Sequence, residues 1–172
     1  MKKGQRQVTI ALMRNEIEYD AQSILSVIAD TLPGEETAHV KHIYNDICEG
    51  ENARRTIRFA DTAFAVLAEH LHGYTATPIG GDITTDDIAH TPDVYTLAMW
   101  MDGDTSSSQV TLIKTLAHDY VVLAIVCGWL ALIGSDRLDL YTSMRDTALA
   151  DAVKAADSHN RIGRVTPFFG NT

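Results

Sequence analysis

Cysteine is scarce in this chain. Cys48 and Cys127 are the only two among 172 residues, and both lie within apolar helical patterns. Two cysteines in a chain of this size provide no disulfide framework, so we expect a reducing, intracellular setting. The N-terminal stretch MKKGQRQVTIALMRNE has too short an apolar core for a signal peptide, and no small-residue cleavage site follows it. We therefore expect no export signal.

Positive charge is missing from the middle of the chain. Between Phe59 and Ile113 there are eight acidic residues and no Lys or Arg, and the whole chain has a formal net charge of −9. This surplus of negative charge argues against a general affinity for the nucleic-acid backbone, and we expect no sequence-specific nucleic-acid partner. Basic residues crowd both ends instead. Either the acidic middle is a solvated loop, or the basic ends contact acidic surfaces on neighbouring copies.

No charge-free run reaches the length of a membrane span. The longest apolar run, YVVLAIVCGWLALIG, covers Tyr120 to Gly134, whereas a helix that crosses a bilayer needs about 20 apolar residues. No cluster of Lys or Arg flanks the run to orient it in a membrane. We therefore expect it to be buried against protein. Because it is apolar around its whole circumference, either it lies at the centre of a helical bundle or subunits pack around it.

Apolar periodicity predicts a mainly α fold, a single domain over residues 1–172 built as a bundle of about five helices. The predicted helices span about 14–31, about 35 to the interruption at Gly50, 52–72, 108–133 and 136–158. Asn52 is placed to cap the third helix and Gly73 to end it. The hydroxyls of TSSSQ provide caps for the fourth helix. One face of the predicted fifth helix is lined by Leu138, Tyr141, Met144, Ala148, Ala152 and Ala155.

Residues 74–108 have no helical period and are rich in Thr, Asp, Gly and Pro, which predicts either a long acidic loop or a loop that closes a small β-element. Within it, VYTLAMWM (residues 94–101) is a strand candidate because it is rich in β-branched and aromatic residues. A lone strand leaves its backbone edges unpaired. Its partner is therefore residues 7–12, the segment TPIGGDI or a neighbouring copy. A first helical turn after Pro92 is the alternative to this strand. The tail at residues 159–172 is predicted to be irregular.

No arrangement of residues identifies a catalytic, cofactor-binding or metal-binding site. Glu36 and His39 have the Glu-x-x-His spacing of di-iron bundles, but the motif has no second copy. DGDTSSS opens like a calcium loop, but Ser107 replaces its sixth-position glycine and Ile113 its twelfth-position glutamate. The His-Asp pair before the apolar run has no nucleophile in its sequence context. We therefore expect a protein that is not an enzyme and that binds no metal or cofactor.

Six segments follow one another in a characteristic order. They are MRNEIEYDAQSILSVIADTL, HIYNDICEGENARRTIRFADTAFAVLAEHL, VYTLAMWM, LIKTLAHDYVVLAIVCGWLALI, a helix containing LYTSMRDTALADAV, and RIGRVTPFF. The most distinctive piece combines His118, Tyr120 and Val121 with Trp129 further along the same helix. The chain resembles structural proteins from prophages and tailed phages of gut Bacteroides-type bacteria, which look like head–tail connector or neck components. The resemblance implies a virion structural role, assembly into a ring and no catalysis.

On this resemblance the chain would be cytoplasmic in a bacterial host before assembly into virions. Its partners would be copies of itself in a ring and other phage neck or tail proteins, with no membrane involved. Aromatic residues and arginines often carry interface energy. The candidate interface residues are Tyr95, Trp100, Tyr120, Trp129, Arg161, Arg164, Phe168 and Phe169.

Two other classes compete with this interpretation. The first is a small cytoplasmic helical binding or regulatory module that uses the bundle interior or the acidic loop. The second is a nucleotide-hydrolysing helical enzyme, which would need paired Glu-x-x-Glu motifs to coordinate magnesium. The acidic residues of this chain are scattered and form no such pair of motifs.

Overall fold

The structure is a computed structural model that describes residues 5–32, 38–74 and 92–157. Its elements, in chain order, are β1 (Gln5–Met13), α1 (Arg14–Asp30), α2 (Ala38–Asn45), α3 (Gly50–His70), β2 (Val94–Asp102), α4 (Ser107–Leu132) and α5 (Leu138–Asp157). Short 3-10 turns follow α2 at Asp46–Cys48 and α3 at His72–Tyr74. Within the described residues, five helices and one two-stranded sheet confirm the predicted mainly α fold with a small β-element.

β1 and β2 form an antiparallel ribbon whose register places Leu12 opposite Tyr95 and Gln7 opposite Trp100. The predicted pairing of residues 7–12 with the 94–101 strand is therefore confirmed. The alternative of a helical turn after Pro92 is wrong, because β2 starts two residues later. The segment TPIGGDI lies outside the described residues. The face turned towards the helices carries the buried side chains Ile10, Leu12, Tyr95, Leu97, Met99 and Met101.

α4 lies at the centre of the bundle, where it packs against α1, α3, α5 and β1. The buried residues of its apolar run are Tyr120, Val121, Val122, Leu123, Ile125, Val126, Cys127, Trp129 and Leu130. By length and composition alone, Ser107–Leu132 would be able to cross a membrane, but 56% of its most apolar window is buried inside the protein. Of the two arrangements expected for this helix, burial at the centre of its own bundle is the one observed.

Local signals determine both ends of α4. At its start the Oγ of Ser106 accepts a hydrogen bond from the backbone N–H of Gln109 at 3.2 Å, which confirms a hydroxyl of TSSSQ as the cap. After its end Gly134 has a φ of +66°, a backbone conformation that favours glycine. The N–H of Ser135 then donates to the carbonyl of Leu130. This Schellman arrangement turns the chain directly into α5.

α5 packs on α4 through small side chains. Its buried residues are Ala148, Ala152, Ala155 and Ala156, which include three residues of the predicted face. Leu138 and Tyr141 of that face are partly buried and also pack against the core. Met144, on the same predicted face, is 46% exposed and lines a depression together with Ala148. Alanine at the contact lets two helices approach closely, so the larger side chains of α5 remain at the border of the contact.

Two predicted helix-end signals of α3 are wrong. Glu49, not Asn52, occupies the N-cap position. The side-chain amide of Asn52 instead donates to the carbonyl of Asp46 at 3.3 Å, where it ties the helix to the preceding 3-10 turn. Gly73 does not have the positive φ of a C′ glycine, because the chain continues from α3 into a second 3-10 turn.

Candidate functional site

Three of the predicted interface aromatics lie inside the folded chain. Tyr95, Tyr120 and Trp129 are only 3%, 5% and 4% exposed. The Nε1 of Trp129 donates to the carbonyl of Ile43 at 3.1 Å, and the hydroxyl of Tyr95 donates to Asp61 at 2.5 Å. Aromatic rings that are buried to this extent contribute to the core of the chain. These three residues are therefore corrected from interface candidates to core residues.

Trp100 keeps a position at the surface. It is half-buried on the face of β2 that points away from the helices, opposite Gln7 in β1. The remaining interface candidates, Arg161, Arg164, Phe168 and Phe169, lie outside the described residues.

A polar cleft of about 580 Å³ lies between α1 and α4. At its edge the Nε2 of His118 lies 2.9 Å from the Oδ2 of Asp20, with the two side chains 18% and 50% exposed. The cleft is lined by Asn15, Glu16, Tyr19, Asp20, Thr111, Lys114, Thr115 and His118. Because it combines carboxylates with an ammonium and an imidazole, it presents hydrogen-bonding groups of both charges to a polar ligand.

Sequence reasoning missed the part that Asp20 plays in this cleft. In the sequence His118 stands beside Asp119, just before the apolar run. In the structure His118 lies within α4, and its bonded carboxylate belongs to a residue 98 positions away. No local pattern marks such a partner, since the contact depends on how α1 packs on α4.

A second depression, here called the apolar groove, lies between α1, α4 and α5 and has a volume of about 500 Å³. Its lining is Ile24, Leu116, Asp119, Val122, Leu123, Ser143, Met144, Thr147, Ala148 and Asp151. The charged residues in this lining are Asp119 and Asp151, so the groove is apolar with an acidic border. The apolar period predicts that Met144 lies on one face of the fifth helix, but the groove that it lines depends on how the three helices pack.

The apolar surface continues beyond the groove along α4. Leu112 is 47% exposed and lies one helical turn before Leu116, in a neighbouring depression that also contains Asp151 and Lys154. On α5, Leu140 is 60% exposed, one turn before Met144. Large apolar side chains at these spacings share a helix face. The groove is therefore the middle of a longer apolar strip that includes Leu112, Leu116, Leu140 and Met144.

The environment of the groove perturbs one of its carboxyl groups. Partial burial raises the pKa of the Asp119 carboxyl, the neighbouring His118 lowers it, and the negative charge of Asp20 raises it further. Burial has the largest effect of the three. Removing a carboxylate from water disfavours its charged form, so Asp119 would gain from a cationic partner that replaces the lost hydration.

Neither thiol is placed for chemistry. Burial raises the pKa of Cys48 to about 11, with the carboxylates of Glu18 and Glu49 adding to the effect. Burial also raises the pKa of Cys127, against the hydrogen bond from Thr142. The thiolate is the nucleophilic form of cysteine, so both thiols are held in their unreactive form near neutral pH.

Within the described ranges, no group of three His, Cys, Asp or Glu side chains is close enough to hold a metal ion. Glu36, the first residue of the Glu-x-x-His motif, lies outside those ranges. The segment that resembles a calcium loop forms the turn between β2 and α4, where Ser106 acts as the helix cap.

No known protein family, curated protein or solved structure matches the chain.

Proposed function

We propose that the chain is a non-catalytic structural subunit of a phage or prophage virion, a head–tail connector or neck component that acts by self-assembly and protein–protein packing. The observation that supports this proposal best is the exposed apolar strip along α4 and α5. A folded chain that keeps Leu112, Leu140 and Met144 at 47%, 60% and 46% exposure retains apolar surface of the kind that marks protein–protein contacts.

The ribbon supports the same kind of role. In the described part of the chain β1 and β2 pair only with each other, so each strand has a second backbone edge. An extended segment from another chain adds to such an edge through main-chain hydrogen bonds. Trp100 on the outward face provides an aromatic anchor beside that edge, and tryptophan is among the residue types enriched at the energetic centres of interfaces.

The alternative function is a small cytoplasmic helical binding or regulatory module. The polar cleft between α1 and α4 favours it, because Lys114, His118 and Asp20 converge on about 580 Å³ of open space. A module of this kind would bind a small polar ligand there. It would also be stabilised by that ligand, because binding to the folded state alone raises the free energy of unfolding.

Mass spectrometry of particles purified after induction of the source strain distinguishes the structural subunit from the binding module. If the structural proposal is correct, intact particles contain peptides of this chain at the copy number of a ring. Particles that contain every other structural protein but not this chain would overturn the proposal. The binding module would then be the better supported function. A thermal-shift screen of polar metabolites on the purified protein, with His118→Gln as the cleft control, would test it.

A further inference from the structure

We infer that the apolar groove receives the basic, aromatic segment Arg161–Phe169 of a second copy of this chain. The inference deepens the proposed function and rests on its claim of self-assembly, because it names the surface and the segment that meet. It starts from the contrast between a groove whose charged lining residues are both acidic and a tail that contains Arg161, Arg164 and two phenylalanines.

Charge selects this segment among those outside the described residues. Residues 158–172 contain two arginines and no Asp or Glu, whereas residues 75–91 contain Asp82, Asp86 and Asp87 and no Lys or Arg. The acidic segment would be repelled by Asp119 and Asp151. The N-terminal residues 1–4 are basic but contain no aromatic side chain. Only the tail combines positive charge with aromatic side chains that match an apolar floor.

The order of residues along the groove matches the order along the tail. The side-chain amide of Gln109 donates to the carbonyl of Ala155 at 2.6 Å, so α4 and α5 run antiparallel with the start of one beside the end of the other. Asp151 therefore lies towards one end of the groove and Met144, with Leu123, towards the other. The tail likewise presents its arginines first and Phe168–Phe169 after them. Methionine packs well against aromatic rings, which suits the apolar end of the groove.

The direction in which the chain leaves α5 favours a neighbour's groove over its own. Asp157, the last residue of α5, accepts a hydrogen bond from the hydroxyl of Tyr74, which follows α3. Asp157 also shares a depression with His70 of α3 and Val153 of α5. The tail thus begins on the side of α5 that faces α3, whereas the groove lies on the side that faces α1. From Asp157 to Phe168 the chain spans up to about 36 Å when extended, enough to reach an adjacent copy.

Cross-linking between single-cysteine chains tests the inference directly. One full-length chain carries Ser143→Cys in the groove and the other Thr166→Cys in the tail, both in a Cys48→Ala/Cys127→Ala background. Only contact between chains joins these two when they are mixed with a short bismaleimide. Thr96→Cys, at an exposed position on β2, replaces the groove cysteine in the control mixture. A chain carrying both Ser143→Cys and Thr166→Cys measures contact within one molecule.

We expect the groove and tail chains to join at least tenfold more than the control mixture. Asp119→Arg with Asp151→Arg should lower that yield roughly tenfold, and Arg161→Asp with Arg164→Asp on the tail chain should restore it, because the charge pairs are reversed together. Circular dichroism confirms that each variant is folded. Three results would each overturn the inference. The first is a cross-link that forms only within the doubly substituted chain, at monomer mass. The others are the absence of any cross-link in folded chains and a yield that charge reversal does not change. If the purified chains cross-link but the chain is absent from virions, the neck proposal is overturned and the contact between tail and groove is still supported.

Discussion

Gly128 of α4 lies directly against the ring of Phe59 in α3. A Cβ added at Gly128 would come within 2.8 Å of the ring Cγ and 2.9 Å of both Cδ atoms. The absence of a side chain at this one position therefore sets how closely α3 and α4 approach.

Replacing Gly128 with alanine should destabilise the fold. Overpacking of a core contact costs about 1–3 kcal/mol, and the better helix propensity of alanine recovers only about 1 kcal/mol. We expect a net loss of about 1 kcal/mol in the free energy of unfolding, measured by urea titration. Gly73→Ala is the matched control, because a Cβ there meets nothing within 4 Å. Equal stability of Gly128→Ala and the unsubstituted protein would contradict the packing account, and a Phe59→Leu background should reduce the loss.

The cap of α4 provides a second prediction. The Oγ of Ser106 accepts the N–H of Gln109 at 3.2 Å, so Ser106→Ala should cost about 1 kcal/mol of stability. Ser108→Ala, two residues further on in the exposed first turn, should change it little or raise it slightly through helix propensity. Urea unfolding of both variants decides the matter. A larger loss from Ser108→Ala than from Ser106→Ala would place the cap elsewhere in TSSSQ.

Asp119 makes stability depend on pH in a defined direction. Its folded-state pKa is raised, mainly by burial, so its contribution is fully present below the unfolded pKa and is lost as pH rises through the folded pKa. Asp119→Asn should therefore be more stable than the unsubstituted protein at neutral pH. This advantage should shrink as pH falls to about 4, the ordinary range for aspartate.

Urea midpoints at several pH values, at low protein concentration, measure the Asp119 effect. Asp104→Asn, in the exposed turn after β2, reports what removal of one negative charge does at a site away from the groove. An advantage of Asp119→Asn that grows as the solution becomes more acidic would have the wrong sign for a carboxyl group with a raised pKa.

The proposed self-assembly predicts that removal of residues 166–172 impairs assembly without loss of helix. The described helices end at Asp157, so far-ultraviolet circular dichroism should be unchanged while sedimentation shows fewer oligomers or a weaker partner complex. Phe168→Ala with Phe169→Ala should reproduce the defect, because aromatic anchors carry interface energy. Asn171→Ala with Thr172→Ala, a change of similar extent in the same tail, should not. Unchanged assembly after the truncation would remove the docking role of the tail.

Local chemistry determined the elements of this protein from sequence. Three signals act over only a few residues each: the apolar period of α1, the hydroxyl cap before α4 and the β-branched run of β2. These helices and this strand could therefore be predicted without a structure. The pairing of β2 with residues 7–12 was also among the partners that the sequence allowed. The helix-end errors at Asn52 and Gly73 arose where a 3-10 turn, which depends on packing, replaced the expected cap.

Only the tertiary structure decided which surfaces are free. Tyr95, Tyr120 and Trp129 are residue types that serve equally well in cores and interfaces, and their burial depends on which helices surround them. The His118–Asp20 contact joins residues 98 positions apart, and the groove exists because α1 and α5 flank α4 without closing over it. Periodicity indicates the face of one helix at a time, whereas a groove or a contact between distant side chains depends on how several helices pack together.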